Sequence, residues 1–477
     1  MSEQERYVSP LATRYASPAM QCLWGAARRI GLWRRLWVAL AEAERELGVA
    51  IPEDAIAQMK AHVDDVDFAK AAEYEARFRH DVMAHVHAFA DAAPAARPFI
   101  HLGATSAFVT DNADLLVIHE ALGLVEARLG TVLRALRDVA ARYRALPTLA
   151  YTHLQPAQLT TVGKRAALWM QGFATDLVAV RQRGAGLALL GCKGTTGTQA
   201  SFLDLFAGDH EKVRQLDRRV AEKVGFTRVV PISGQTYPRK VDAQVLADLA
   251  GVAQSAAKFA TDLRLLQHMG EVLEPFEAEQ VGSSAMAYKR NPMRSERVVS
   301  LARYAMHLPA NAAETAAQQW FERTLDDSAN RRLVLPEAFL AVDAILVLVS
   351  DIARGIEVRE AVIRKHVERE LPFMATERCL MLGVKAGGDR QALHEVVRRH
   401  SLAVAQAVAE QDAPNDLLAR LGADPAFRGV GVADLARSLK PGDFVGRAPE
   451  QVDEFLRDVV DPLMSGVPEA PHAEVRV

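Results

Sequence analysis

The chain has 477 residues, half of them hydrophobic, and a formal net charge of −3. That is enough apolar material for a large core spread over two or three domains, and the near balance of 57 basic and 60 acidic side chains excludes the basic field that non-specific nucleic-acid binding requires. The three cysteines, Cys22, Cys192 and Cys379, lack the number and spacing of a disulfide framework or zinc site, an economy expected of a reducing, cytoplasmic compartment.

The opening MSEQERYVSP has no signal-peptide layout, and no later segment reads as a membrane span. An N-terminal domain over residues 1–110 begins with helical sequence interrupted by Pro52, Pro94 and Pro98. Within it RFRHDVMAH, residues 77–85, sets a cation, an imidazole and a carboxylate side by side in Arg79, His80 and Asp81. His80, His85 and His87 lack the two-histidine helical spacing with an adjacent glutamate, so no metal is expected. HLGATS follows, and its hydroxyl pair Thr105 and Ser106 either caps the next helix or offers a carboxylate or phosphate a seat at its start.

From residue 111 to 146 the apolar residues Leu115, Ile118, Leu122, Val125, Leu129, Val132, Leu136, Val139 and Tyr143 recur at steps of three and four. This predicts one rod, roughly 50 Å long, capped by Thr110 or Asp111 and stopped by Pro147. In YTHLQPAQ, His153 stands three residues before Pro156, which predicts the first turn of a second rod. Its inward residues are Leu159, Val162, Ala166, Trp169, Phe173, Leu177 and Val180, and it frays at Gly184 and Gly186. A histidine there suits proton transfer near neutral pH, or else it simply closes the turn by hydrogen bonding. A third rod follows Pro238, with Val245, Leu249, Val252, Ala256, Phe259, Leu263 and Leu266 inward, and a fourth follows Pro336, with Phe339, Val342, Leu346 and Val349.

Four long amphipathic helices predict an all-α protein with a central bundle over residues 111–358, and rods so long and apolar need partners along their length. Shorter helices interrupted by Pro372, Gly387, Gly388, Pro414 and Pro441 make a C-terminal domain over residues 359–477. Its tail from Pro468 onward is expected to be poorly ordered.

Residues 277–297, EAEQVGSSAMAYKRNPMRSER, join two long helices with more polar chain than a connection needs, which reads as a mobile functional loop. Lys289 and Asn291 can hold a dicarboxylate, and a serine hydroxyl becomes a strong base where cations stabilise its alkoxide. A phosphate cradle is the rival reading, although the glycine spacing of a P-loop is absent.

The stretch GSSAMAYKRNP, residues 282–292, resembles the signature loop of the fumarase/aspartase superfamily, usually written GSSxMPxKxNP, with Ala287 where proline is usual. Within that superfamily SPLATRYASP, RHDVMAHVH, HLGATS, THLQPAQLTTVGKR, KGTTGTQASF, SGQTYPRK, WFERTLDDSANRR and LPFMATE resemble the adenylosuccinate lyase family, over about residues 7 to 460. The resemblance implies three helical domains, a homotetramer whose active sites are each shared by three subunits, no metal or organic cofactor, and elimination of fumarate from succinylated purine nucleotides.

Carried over by motif, Ser283 removes a proton from the succinyl carbon, His153 protonates the departing purine amine, and His80 assists binding and orientation, with Arg79 and Asp81 beside it binding the substrate. Thr105, Ser106, Lys289 and Asn291 hold the carboxylates, while Gln235 and Arg297 line the substrate. Arg14, Tyr15, Arg323, Ser328 and Arg332 hold the nucleotide end, chiefly its phosphate, which the arginine fork suits. Sister lyases acting on argininosuccinate, malate or aspartate share the serine loop, but the nucleotide-end arginines argue against them. Intact Ser283, His153 and Lys289 oppose a non-catalytic helical scaffold.

Overall fold

The computed structural model describes residues 5–475, and they are predominantly helical. Helices α1 (Ala26–Glu46), α2 (Phe68–Phe78) and α3 (Asp81–Ala92) precede the first rod, α4 (Ser106–Arg142), whose 37 residues span about 55 Å. All nine seam residues of α4's sequence pattern are buried. The rod begins five residues before the predicted cap, because Phe108 and Val109 extend its apolar face and Thr105 takes the extended cap position. Asp111 is thus no cap: it is buried inside the helix and paired with Arg239.

The second rod starts later than predicted. Residues 147–161 form a hairpin of β1 (Pro147–Thr152) and β2 (Gln155–Thr161), closed by the two-residue turn His153–Leu154. Pro156 sits in β2 opposite Tyr151, next to an irregularity in the register, where a residue without an N–H is tolerated. Helix α5 (Val162–Gly186) then begins with the Thr161 hydroxyl accepting the Lys164 N–H. Gly163 is required there, since a Cβ would lie 2.4 Å from the Ala140 carbonyl oxygen of α4.

Helices α6 (Lys240–His268), α7 (Met293–His307) and α8 (Asp326–Arg354) complete the bundle. Helix α4 packs on α5 and α8, and α6 packs on α5, α7 and α8. Helix α8 starts ten residues before the start predicted at Pro336, which lies inside it. Having no N–H, Pro336 leaves the Arg332 carbonyl without its helical donor. By length and composition α8 could cross a membrane, yet 83% of its most apolar window is buried inside the protein. Its hydrophobicity serves the core.

The seam residues of all four rods are buried within one chain, so the seams themselves do not demand a second chain. Large apolar side chains that stay exposed on the rods include Leu168, Val178, Leu265 and Leu333. One hydrophobic cluster runs from Leu11 to Val467, and a separate small one lies between Ala375 and Val432. The described part of the tail is tied down, contrary to expectation. Arg134 Nη2 donates to the Val467 carbonyl at 2.7 Å, Arg128 Nη1 donates to that of Pro471 at 2.6 Å, and Val467 fills the space where a Cβ on Gly130 would stand 2.5 Å from its Cγ1. Residues 476–477, the end of that tail, lie outside the described residues.

Candidate active site

The turn between α2 and α3 places His80. Arg79 adopts a left-handed conformation, φ 56°, that ends α2, and His80 caps α3 by accepting the Met83 N–H at Nδ1, 3.3 Å away. A neutral ring held this way carries its proton on Nε2, and Nε2 faces Ser106 Oγ at 3.4 Å. Thr105 holds the cap position of α4 without a side-chain capping bond. The hydroxyl pair is therefore not occupied in capping, which favours the ligand-binding reading of HLGATS. Asp81 accepts the Val82 N–H at 2.8 Å and pairs with Arg332 Nη2 at 2.8 Å. Burial pushes its carboxyl up, but the Val82 amide and the Arg332 guanidinium outweigh it and hold the group below its ordinary value.

A cavity of about 850 Å³ brings Arg79, His80, Asp81 and Ser106 together with Gln235, Arg323, Ser328 and Arg332. Close backbone contacts stack three motif segments at its edge. A Cβ on Gly197 of KGTTGTQ would lie 1.9 Å from the Ser233 carbonyl oxygen, and one on Gly234 of SGQT would lie 2.5 Å from that of Glu322. The Gln235 N–H donates to the Glu322 carbonyl at 3.0 Å, and its Nε2 to that of Thr195 at 3.0 Å. Two arginines from α8 and its approach, facing an imidazole and a hydroxyl, suit an anionic ligand with polar groups at both ends.

The remaining site residues do not line this cavity. His153 and Leu154 form the hairpin tip with φ of 54° and 58°, a left-handed pair matching the tight turns that twist hairpins correctly but unfavourable for residues other than glycine or asparagine. His153 makes no hydrogen bond among the described residues, so it does not serve to close its turn; a larger cavity of about 1040 Å³ lies beside it, walled in part by Thr152 and Leu154. In the signature loop Ser283 Oγ accepts the N–H groups of Ala285 and Met286 at 3.4 and 3.2 Å. Such donors favour an alkoxide over a hydroxyl.

Asn291 Nδ2 donates to the Gly282 carbonyl at 2.7 Å, and a Cβ on Gly282 would lie 2.0 Å from the Lys289 carbonyl oxygen, so glycine alone lets the loop's neck close. Lys289 is exposed and makes no ion pair among the described residues. Arg297 lies over the Tyr15 ring, 5.4 Å from its centroid, and the exposed Arg14 adjoins it in the same helical turn, Leu11–Tyr15. The histidines after His80 face away from one another: His85 packs on Trp33 at 5.6 Å and His87 on Phe78 at 4.8 Å between ring centroids.

A family model described as lyase matches residues 24–306, and one described as adenylosuccinate lyase C-terminus matches residues 372–455. The chain is 50% identical over 464 residues to the adenylosuccinate lyase of Saccharomyces cerevisiae, covering 97% of this chain and 96% of that protein. It belongs to the adenylosuccinate lyase family. A relative in Schizosaccharomyces pombe carrying the same name is 50% identical over 467 residues, with 97% of each chain covered. Among solved structures, a fumarate lyase from Mesorhizobium sp. BNC1 shares the fold, with a TM-score of 0.79, 24% identity, and 95% and 99% of the two chains covered.

Two features of this family member escaped the sequence reading. His101, the first residue of HLGATS, accepts the Trp37 indole N–H at Nδ1, 2.9 Å away. Burial and then the neighbouring His80 push it down to about 4, so it is neutral with its proton on Nε2. Its presence in the quoted motif was the available signal. Beneath the cavity lies a buried cluster of Asp111, Asp242, Asp327, Arg239, Arg331 and Tyr237. Arg331 Nε donates to Asp242 at 2.8 Å, and the Tyr237 hydroxyl donates to the same carboxylate at 2.6 Å. Burial disfavours the Arg239 charge, but Asp111 outweighs it and raises the group above its ordinary value.

Proposed function

We infer that this chain eliminates fumarate from adenylosuccinate, leaving AMP, and from the succinylated aminoimidazole carboxamide ribotide, SAICAR, leaving AICAR. It is a carbon–nitrogen lyase of purine nucleotide biosynthesis. The observation that carries this reading is 50% identity to adenylosuccinate lyases along almost the whole chain, joined to a cavity in which Arg323, Ser328 and Arg332 lie with His80.

In the proposed mechanism Ser283 Oγ, as alkoxide, takes the proton from the succinyl carbon beside a carboxylate. The electron pair left behind forms the carbon–carbon double bond of fumarate as the carbon–nitrogen bond breaks, and His153 gives a proton to the departing amine. Thr105, Ser106, Lys289 and Asn291 bind the succinyl carboxylates and so stabilise the charge that develops there. Gln235 and Arg297 line the substrate, and Arg14, Tyr15, Arg323, Ser328 and Arg332 take the nucleotide end. No metal or organic cofactor enters the scheme.

Ser283 and His153 do not line the cavity of His80, and a site that draws on more than one chain would bring them to a substrate held there. We propose a homotetramer with three subunits contributing to each site. Support comes from the position of His153 and of the signature loop outside that cavity, and from exposed Leu168, Leu265 and Leu333 on the rods. A cytoplasmic location fits three unpaired cysteines, two of them buried.

The test follows absorbance as purified protein is mixed with adenylosuccinate or SAICAR, with argininosuccinate, malate and aspartate as controls. Cleavage of both nucleotides, unchanged by EDTA, is expected. Turnover confined to the controls would overturn the reading, and a loss in EDTA restored by zinc or magnesium would overturn its cofactor-free part.

A further inference from the structure

The cationic end of the cavity stands on a relay of buried charges. Arg323 reaches Asp327 with Nη1 alone, at 2.9 and 2.8 Å from the two carboxylate oxygens. Asp327 is 1% exposed, and its Oδ2 also accepts from Arg239 Nε at 2.7 Å. Arg239 in turn grips Asp111 with Nη1 and Nη2, at 2.9 and 3.2 Å. Nε and Nη2 of Arg323 make no hydrogen bond among the described residues. That edge remains available to two oxygens of an anion.

A carboxylate behind an anion-binding arginine weakens the local positive field, so its presence calls for another reason. Arginine is rich in rotamer entropy, which must be lost when it is immobilised. Tethering through one nitrogen removes part of that freedom before the ligand arrives, and Arg239 offsets the charge of Asp327 from the other side.

We propose that Asp327 is a positioning residue that aims Arg323 at the phosphate of the nucleotide substrate, with Arg239 and Asp111 as its mount. The inference rests on the reading of Arg323 as a phosphate ligand. Asp327→Asn keeps the shape and one acceptor while removing the charge. It is expected to raise KM for adenylosuccinate and weaken competitive inhibition by AMP about tenfold, with kcat changed less than about threefold. Inhibition by adenosine, which has no phosphate, should stay within about twofold.

The same measurements on Arg323→Gln and on the double variant separate the two levels of the argument. Asp327→Asn should add nothing once Arg323 is gone. If Arg323→Gln weakens AMP and adenosine equally, the phosphate reading of Arg323 fails and the proposal with it. If Arg323→Gln is selective for AMP but Asp327→Asn is not, or if the two effects multiply, the positioning role alone is overturned. Should Asp327→Asn not fold, as judged by circular dichroism, Asp327→Glu keeps the charge and displaces it by one methylene. A selective loss of AMP binding is again expected, and unchanged AMP binding overturns the proposal.

Discussion

Arg332 Nη2 donates to Asp81 Oδ2 at 2.8 Å, joining α8, which carries Ser328 and Arg332, to the turn that holds His80. Half-exposed ion pairs of this kind add little to stability, so the contact matters for geometry more than for folding. Asp81→Asn is expected to lower kcat/KM for adenylosuccinate about tenfold with the melting temperature changed by no more than a few degrees. Unaltered kcat/KM would show that His80 and Arg332 are held independently.

Ser283→Ala and His153→Ala should each cut turnover at least about a hundredfold, as expected for a lost base or acid, with circular dichroism unchanged. Because neither residue lines the cavity of His80, the two inactive variants should complement one another after dissociation and joint reassembly. Hybrid oligomers verified by mass and still inactive would refute shared sites.

Glu44 of α1 is fully buried, and neither of its carboxylate oxygens has a hydrogen-bond partner. Burial pushes it up to about 9 from an ordinary value of 4.5. A raised folded-state value means that its contribution to stability is intact below pH 4.5 and is lost as pH climbs toward 9, because the unfolded chain gives up its proton first. Glu44→Gln removes this dependence. Its stability advantage in urea unfolding should grow between pH 5 and pH 7 by on the order of 2 kcal/mol. A difference that stays constant with pH would mean that the buried carboxylate is ionised.

The Lys289 N–H donates to the Met286 carbonyl at 3.0 Å, which makes Ala287 the second residue of a four-residue turn. Proline is favoured at that position, and the Ala287 N–H has no acceptor among the described residues to lose. Alanine leaves the open loop more freedom to surrender on closure, an effect of about 0.4 to 1 kcal/mol. Ala287→Pro should therefore raise kcat/KM about two- to fivefold and slow proteolysis of the loop. Lower efficiency with no protection would show that the surrounding loop has adjusted to alanine.

The rods were legible because each seam keeps one period along its whole length, and the serine loop because its polar length and residue order are both unusual. The hairpin before α5 was not. Its turn uses His153 and Leu154 where asparagine and glycine would have announced it, and Pro156 suggested a helix start. The beginning of α8 was hidden by Pro336, a residue that normally ends or opens a helix but is here carried within one. The relay under the cavity was invisible for a different reason: Arg239 meets Asp327 and Asp111 across 88 and 128 residues of sequence. No local pattern encodes such a pairing. Candidate site residues could thus be named by motif, while the residues that pack beneath the cavity emerged only from the fold.

The ties from Arg128 and Arg134 to the carbonyls of Pro471 and Val467 make the tail a strap across the longest rod. Arg128 also pairs with Asp343 inside the bundle, through Nε at 3.2 Å. Cutting the chain after Met464 would strip both arginines of those carbonyl acceptors and uncover the flank of Gly130 on α4, where Val467 now packs. Peptides that mimic the strap would then have a vacant track to bind, so a shortened chain and a synthetic tail segment could be reunited in trans, with thermal stability reporting their recombination.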